Sequence, residues 1–207
     1  MTSFLLFLPL VPILLAFVKG NYDTTPMHYL VLICLLDLMR GISEKYTPLT
    51  EEYRFATGNI IALLEIVVLA QLFKTQMTRT VRIAVNIFLV AFLSSILTWF
   101  TMAGWERHGP LLDSILATLT IGIIIRGIFP LLRDGMIYIF QSPLVYIAAG
   151  IIFSTLLSLL VEWAATCCND AYPGIEHRLF LSLALIVKYA LYTRAVFAGG
   201  ISGHVRS

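Results

Sequence analysis

Seven apolar stretches, each close to the length of a membrane-spanning helix, constrain this chain more than any other feature of its sequence. Hydropathy places them near residues 3–19, 27–42, 56–74, 81–101, 112–133, 142–164 and 178–199. A helix needs about 20 mostly apolar residues to cross the hydrocarbon core of a bilayer. The stretches and their short connections use nearly all of the 207 residues. We therefore predict one all-α transmembrane domain over residues 1–207, a polytopic bundle of about seven spans.

The composition excludes several classes of protein. The chain is 59% hydrophobic and only 13% charged, whereas about a quarter of the residues in soluble domains are charged. Its excess apolar surface needs lipid as a solvent, and no length remains for a water-soluble catalytic domain. The net charge is +2, and no run of Lys and Arg resembles a nucleic-acid-binding patch. We therefore expect the lipid bilayer as a partner and no nucleic acid.

The first apolar stretch has two alternative interpretations. It resembles a signal peptide in length, but no Lys or Arg precedes it and no small-x-small cleavage site follows it. We interpret it as the first span, bent where Pro9 and Pro12 interrupt the hydrogen bonds of the helix. Pro26, Pro110 and Pro143 lie close to predicted helix starts, where a missing N–H costs least.

The positions of the basic residues predict an orientation. With the N-terminus outside, the inner side carries Lys19, Lys74, Arg79, Arg82, Arg126, Arg133, Arg194 and Arg206, and the outer side carries Arg40, Lys45, Arg54, Arg107 and Arg178. Cytoplasmic connections carry the excess of Lys and Arg in membrane proteins. The sequence therefore favours an N-terminus outside and a C-terminus inside.

Three ionisable residues lie at mid-membrane depth. Asp37, Glu65 and Lys188 each lie about ten residues into a span, in the second, third and seventh spans respectively. Charges at this depth are costly unless they are paired or hydrated, so they are functional candidates. We predict that Glu65 and Lys188, together with Asp37, form a buried polar cluster that couples a signal or holds a ligand. The alternative is that these charges only orient the helices.

Two further patterns concern packing rather than function. Arg40 follows Asp37 by three residues on the same helical face, which favours an ion pair within the second span. Gly150, Ser154 and Ser158 place small residues four apart on the sixth span, so a neighbouring helix can approach closely there.

No motif indicates an enzyme, a metal site or a cofactor. The chain lacks HExxH, GxSxG, a Walker loop and an intramembrane His pair, so we predict that it is not an enzyme. The loop residues Cys167, Cys168, Asp170, Glu176 and His177 include possible zinc ligands, but adjacent cysteines lack the usual spacer. We expect no metal. Lys188 and Glu65 would suit a retinal protein, but microbial rhodopsins have an aspartate where this chain has Ala184. We expect no cofactor.

Two functions agree with these features. The first is a sensory or accessory membrane component that relays a signal or stabilises a membrane complex without catalysis. The second is a small-solute or ion transporter that uses Asp37, Glu65 and Lys188. Neither function fixes an oligomeric state.

Four segments carry a resemblance to a known group. They are the proline-containing first span (LPLVPILLAF), the acidic third span (IIALLEIVVLAQLF), the start of the sixth span (QSPLVYIAAGIIF) and the end of the seventh (IVKYALYTRAVF). With them the chain resembles a loose group of small seven-span bacterial membrane proteins of unknown function, often encoded beside sensor histidine kinases. The resemblance implies a signalling role, a kinase partner and the bacterial cytoplasmic (inner) membrane. It implies no site residues.

Overall fold

A computed structural model describes residues 5–46, 51–74, 76–103, 110–133, 140–167 and 174–203. These residues contain seven α-helices: α1 Leu10–Val18, α2 Thr25–Tyr46, α3 Glu51–Lys74, α4 Arg79–Ala103, α5 Pro110–Arg133, α6 Pro143–Cys167 and α7 Gly174–Gly203. Short 3-10 helices, Leu5–Phe7 and Asn21–Asp23, lie before and after α1. The all-α prediction is confirmed.

The six helices α2 to α7 are each long and apolar enough to cross a bilayer, which indicates an integral membrane protein. Each contains its predicted span to within a residue and extends beyond it by up to five residues at an end. Prolines mark three of the starts, since Pro26 is the second residue of α2, and Pro110 and Pro143 begin α5 and α6. The first turn of a helix tolerates proline because its N–H groups have no partner within the helix.

The first apolar stretch differs from the prediction of one bent span over residues 3–19. Its α-helical part, α1, has nine residues, or about 14 Å of helix against a hydrocarbon core of about 30 Å. The 3-10 helix Leu5–Phe7 is separated from α1 by a turn at Leu8 and Pro9. A proline ring clashes with the preceding turn of a helix, so α1 begins directly after Pro9.

The N-terminal segment, residues 5–23, nevertheless runs along most of α2. At one end, Leu6 packs against Gly41, near the C-terminal end of α2. At the other end, the Lys19 ammonium lies 3.7 Å from the centroid of the Phe197 ring, and Asn21 Nδ2 donates to the Val196 carbonyl oxygen at 3.1 Å. The segment therefore packs against both α2 and α7. Just before α2 begins, its residues contact the C-terminal part of α7.

The bundle is held together by apolar side chains between helices. α6 and α7 share the most extensive contact, while α4 packs mainly on α3 at the edge of the bundle. The most deeply buried side chains include Met27, Leu30, Phe73, Ile124, Ile147 and Val196. Gly127 of α5 lies against Phe73 of α3, and Gly150 of α6 lies against Tyr192 of α7. The predicted close approach of a helix at Gly150 is therefore present, with α7 as the neighbour.

Candidate functional site

A cavity of about 700 Å³ lies between α2, α3, α5, α6 and α7, with the N-terminal segment on one wall. Four charged side chains line it: Asp37, Arg40, Glu65 and Lys188. Uncharged polar side chains complete the polar wall; they are Asn59, Thr120, Ser154, Thr155, Ser158, Tyr189 and Tyr192. Ligand pockets in proteins commonly have volumes of roughly 300–1,000 Å³, so this cavity has the size of a binding site.

The cavity extends from mid-depth toward the end of the bundle where α2 connects to α3. Lys188 lies near the middle of α7, whereas Gly58 and Leu116 lie near the N-terminal ends of the apolar parts of α3 and α5. Below the charges, toward the other end of the bundle, Phe73 and Val196 are fully buried in the apolar core. The cavity thus reaches toward one end of the bundle and is closed at the other by packed side chains.

Lys188 and Asp37 form an ion pair that joins α7 to α2. The Lys188 ammonium donates to Asp37 Oδ2 at 2.7 Å and to Oδ1 at 3.0 Å, and the two side chains are 12% and 10% exposed. The ammonium also lies 5.6 Å from the ring centroid of Tyr189 and 5.7 Å from that of Tyr192. Removing one member of such a buried pair would leave the other charge uncompensated.

Arg40 and Glu65 form a looser ion pair that joins α2 to α3. Arg40 Nη1 lies 3.7 Å from Glu65 Oε2, and Arg40 Nη2 donates to the Gly58 carbonyl oxygen at 3.3 Å. These contacts correct the expectation of an Asp37–Arg40 pair within α2. Asp37 and Arg40 each meet an opposite charge on a different helix, so all four charges are paired across helix interfaces.

Two buried polar atoms on the cavity wall have no hydrogen-bond partner among the residues that the structure describes. They are Glu65 Oε1 on α3 and the hydroxyl oxygen of Tyr192 on α7. Arg40 reaches only the other oxygen of Glu65, at a distance beyond hydrogen-bond range. Native proteins rarely leave such atoms unsatisfied, because each costs about 1–3 kcal/mol and a charged group costs more.

The structure brings Asp37, Glu65 and Lys188 to one cavity, as expected from their shared depth. The direct partner of Lys188 is Asp37, while Glu65 lies within electrostatic range of both and pairs with Arg40. A functional role for the three residues stays a prediction. The loop residues considered as zinc ligands lie where the structure describes no side chain.

Sequence reasoning missed two members of the site. Arg40 was assigned to a pair within its own helix, although its position three residues after Asp37 places both on one face of α2. Tyr192 lies one helical turn after Lys188, and the same rule could have placed it beside the lysine. The sequence around Arg40 and Tyr192 does not show which other helix faces each side chain across the cavity.

Comparison of the chain with protein-family models, with curated proteins and with solved structures finds no match. The cavity and its charges therefore provide the grounds for assigning a function.

Proposed function

We propose that this chain is a membrane-embedded sensory component that binds a small polar solute in the central cavity and relays the bound state to a membrane partner. The observation that carries the proposal is a mid-depth cavity with four charged side chains and two buried polar atoms that have no hydrogen-bond partner in the described part of the chain. A purely structural ion pair needs no such space beside it. In this proposal the chain has no catalytic activity.

The closed end of the cavity favours binding over passage. A route through the bundle would have to separate Phe73 from Gly127 and Tyr192 from Gly150, where the helices are in close contact. A sensor needs only that a ligand in the cavity change how these helices pack. Transport of the same solute is the second candidate, because a cavity reaching toward one side is also one state of an alternating-access transporter.

The membrane arrangement forms part of the proposal. We propose seven crossings, with the N-terminal segment as the first, because it runs beside α2 from Gly41 to the start of that helix. With the N-terminus outside and the C-terminus inside, the cavity would extend toward the outer surface. The resemblance described above supports the bacterial cytoplasmic membrane and a sensor kinase as partner, and α4 is the most exposed helix available for such a contact.

Binding and flux measured on the same purified protein test this proposal. We expect at least one solute from a panel of sugars, polyols, amines, carboxylates, amino acids and ions to raise the midpoint of thermal unfolding, because a ligand that binds only the folded state stabilises it. The same radiolabelled solute should not enter proteoliposomes faster than it enters empty liposomes. Glu65→Gln should weaken the stabilisation, whereas Arg126→Gln, at an exposed position of α5, should not.

Two results would count against the sensory function. Uptake that requires the protein and disappears in Glu65→Gln would establish the transporter instead. A protein that no member of the panel stabilises at millimolar concentration would contradict a solute-binding role of either kind.

A further inference from the structure

The geometry points to a small zwitterion as the ligand: a molecule of the amino-acid type, with one protonated amine, one carboxylate and no net charge. We propose that the amine binds beside Glu65 and the carboxylate beside Arg40. This inference rests on the proposed solute-binding function and specifies its ligand. It depends on the charge balance of the cavity and, within the described residues, on the unsatisfied oxygen of Glu65 and the N–H donors of Arg40 that have no acceptor.

The charges on the cavity wall already balance. Asp37 and Glu65 contribute two negative formal charges, and Arg40 and Lys188 contribute two positive ones. An ion that entered with a net charge would leave one charge without compensation in a region of low dielectric constant, which is unfavourable. A net-neutral ligand avoids this cost, and a zwitterion can still meet both signs of charge on the wall.

Glu65 needs a hydrogen-bond donor. Its Oε1 is buried without a partner among the described residues, and its Oε2 lies 3.7 Å from Arg40 Nη1. Both oxygens of Asp37, in contrast, accept hydrogen bonds from Lys188. A protonated amine is the strongest donor that a ligand can offer to a carboxylate, because charge-assisted hydrogen bonds are about twice as strong as neutral ones.

Arg40 has more N–H donors than its described contacts use. A guanidinium carries five N–H groups in a plane, and the described contacts are one hydrogen bond to the Gly58 carbonyl oxygen and the 3.7 Å approach to Glu65. Its side chain is 36% exposed, the most of the four charged groups. The planar arrangement suits a carboxylate, which can accept two parallel hydrogen bonds.

The spacing of the two wall charges fits both ends of one small molecule. The opposite charges of Glu65 and Arg40 lie side by side at 3.7 Å, so an amine and a carboxylate separated by one or two carbon atoms can each face its partner. The rest of the wall offers apolar surface from Ile66 and Leu116 and the hydroxyl of Tyr192, which has no hydrogen-bond partner among the residues described. A side chain on the zwitterion could contact both.

The test is a binding comparison on the full chain purified in detergent. Each common amino acid is added alone, next to its matched amine without the carboxylate, its matched acid without the amine, and glycerol as an uncharged polyol. We expect at least one amino acid to bind, by calorimetry and by thermal shift, at least about tenfold more tightly than its matched amine and acid. Glu65→Gln and Arg40→Gln should each weaken this binding by about tenfold or more, and Arg126→Gln should leave it unchanged.

The controls separate this inference from the proposed function. If glycerol or a matched amine binds as tightly as the amino acid, or if only a matched acid binds, the inference of a zwitterionic ligand is wrong. The proposed solute-binding function is then unaffected. If none of the probes and no member of the wider panel binds, both are wrong. Should Glu65→Gln fail to fold, Tyr192→Phe replaces it; a loss of amino-acid affinity there supports the site, and unchanged affinity in both Tyr192→Phe and Arg40→Gln overturns it.

Discussion

The two halves of this bundle use the same helices in opposite ways. In the half that contains the α2–α3 connection, α2, α3, α5, α6 and α7 line a cavity of about 700 Å³. In the other half the helices meet at contacts such as Phe73 with Gly127, and side chains such as Ile124 and Val196 are fully buried. The difference shows that the separation of the helices is set locally, by the residues where they touch.

The charged residues lie where the two halves meet. Lys188 and Tyr192 belong to the same face of α7, and Tyr192 packs against Gly150 while its hydroxyl borders the cavity. A ligand bound at the charges would therefore lie next to the closed half, the half in which Phe73 packs against Gly127 and Tyr192 against Gly150. This arrangement gives a bound solute a physical route to the packing of α6 on α7.

The largest effect should come from breaking the ion pair at this boundary. We expect Lys188→Met to lower the free energy of unfolding by about 3–5 kcal/mol, because it leaves Asp37 buried without a counter-charge. Reversible unfolding in mixed detergent micelles would measure the loss. The double variant Lys188→Met, Asp37→Leu should recover most of it. A single variant as stable as the unmodified protein would show that Asp37 is hydrated by the cavity and not dependent on the lysine.

A smaller loss should follow from adding one methyl group to the closed half. A Cβ at Gly127 would lie 2.5 Å from the Cβ of Phe73, an atom fixed to the backbone of α3, so the helices must move apart. We expect Gly127→Ala to cost about 1–3 kcal/mol in the same unfolding assay. Gly122→Ala on the same helix is the control, since a Cβ there meets nothing within 4 Å. Equal effects of the two substitutions would contradict the contrast between the halves.

The smallest effect should have the opposite sign and lie on the cavity wall. Gly58 lines the cavity, and a Cβ built on it meets no atom within 4 Å. We expect Gly58→Ala to raise the free energy of unfolding by about 0.5–1 kcal/mol, because alanine loses less backbone entropy than glycine in a helix. The carbonyl that accepts from Arg40 remains. A loss of stability in this variant would mean that the cavity wall is packed as tightly as the closed half.

The sequence predicted the helices well except at the first span. The helices α2 to α7 follow directly from apolar runs bounded by prolines and charges. The stretch over residues 3–19 is equally apolar, but hydropathy does not register that the α-helix begins only after Pro9 and covers Leu10–Val18. The length of an apolar stretch and the length of its α-helix are different quantities, and a proline can make the helix shorter than the stretch.

The sequence predicts the membrane depth of the charged residues in the candidate site, but it does not predict which of them form ion pairs. Counting along the spans placed Asp37, Glu65 and Lys188 at one level, and they do line one cavity. Counting could not show that Lys188 pairs with Asp37, because partners depend on how each helix is rotated about its axis. Arg40 illustrates this, since its rotation toward α3 brings it to Glu65 and Gly58 and away from a partner in its own helix.

The sequence by itself determined the apolar runs that form α2 to α7, although it predicted about seven spans where the structure has, among the residues it describes, six helices long and apolar enough for a bilayer. It also determined that three charges lie in the middle of such runs. Both properties are local, because they follow from the number of apolar residues between polar ends. Only the tertiary structure decided that two ion pairs cross between helices and that Glu65 keeps an oxygen with no partner among the described residues. It also decided that glycines allow close contact in one half while the other half lines a cavity. These features arise from contacts between residues far apart in the chain, and no local pattern encodes the distance between two helices.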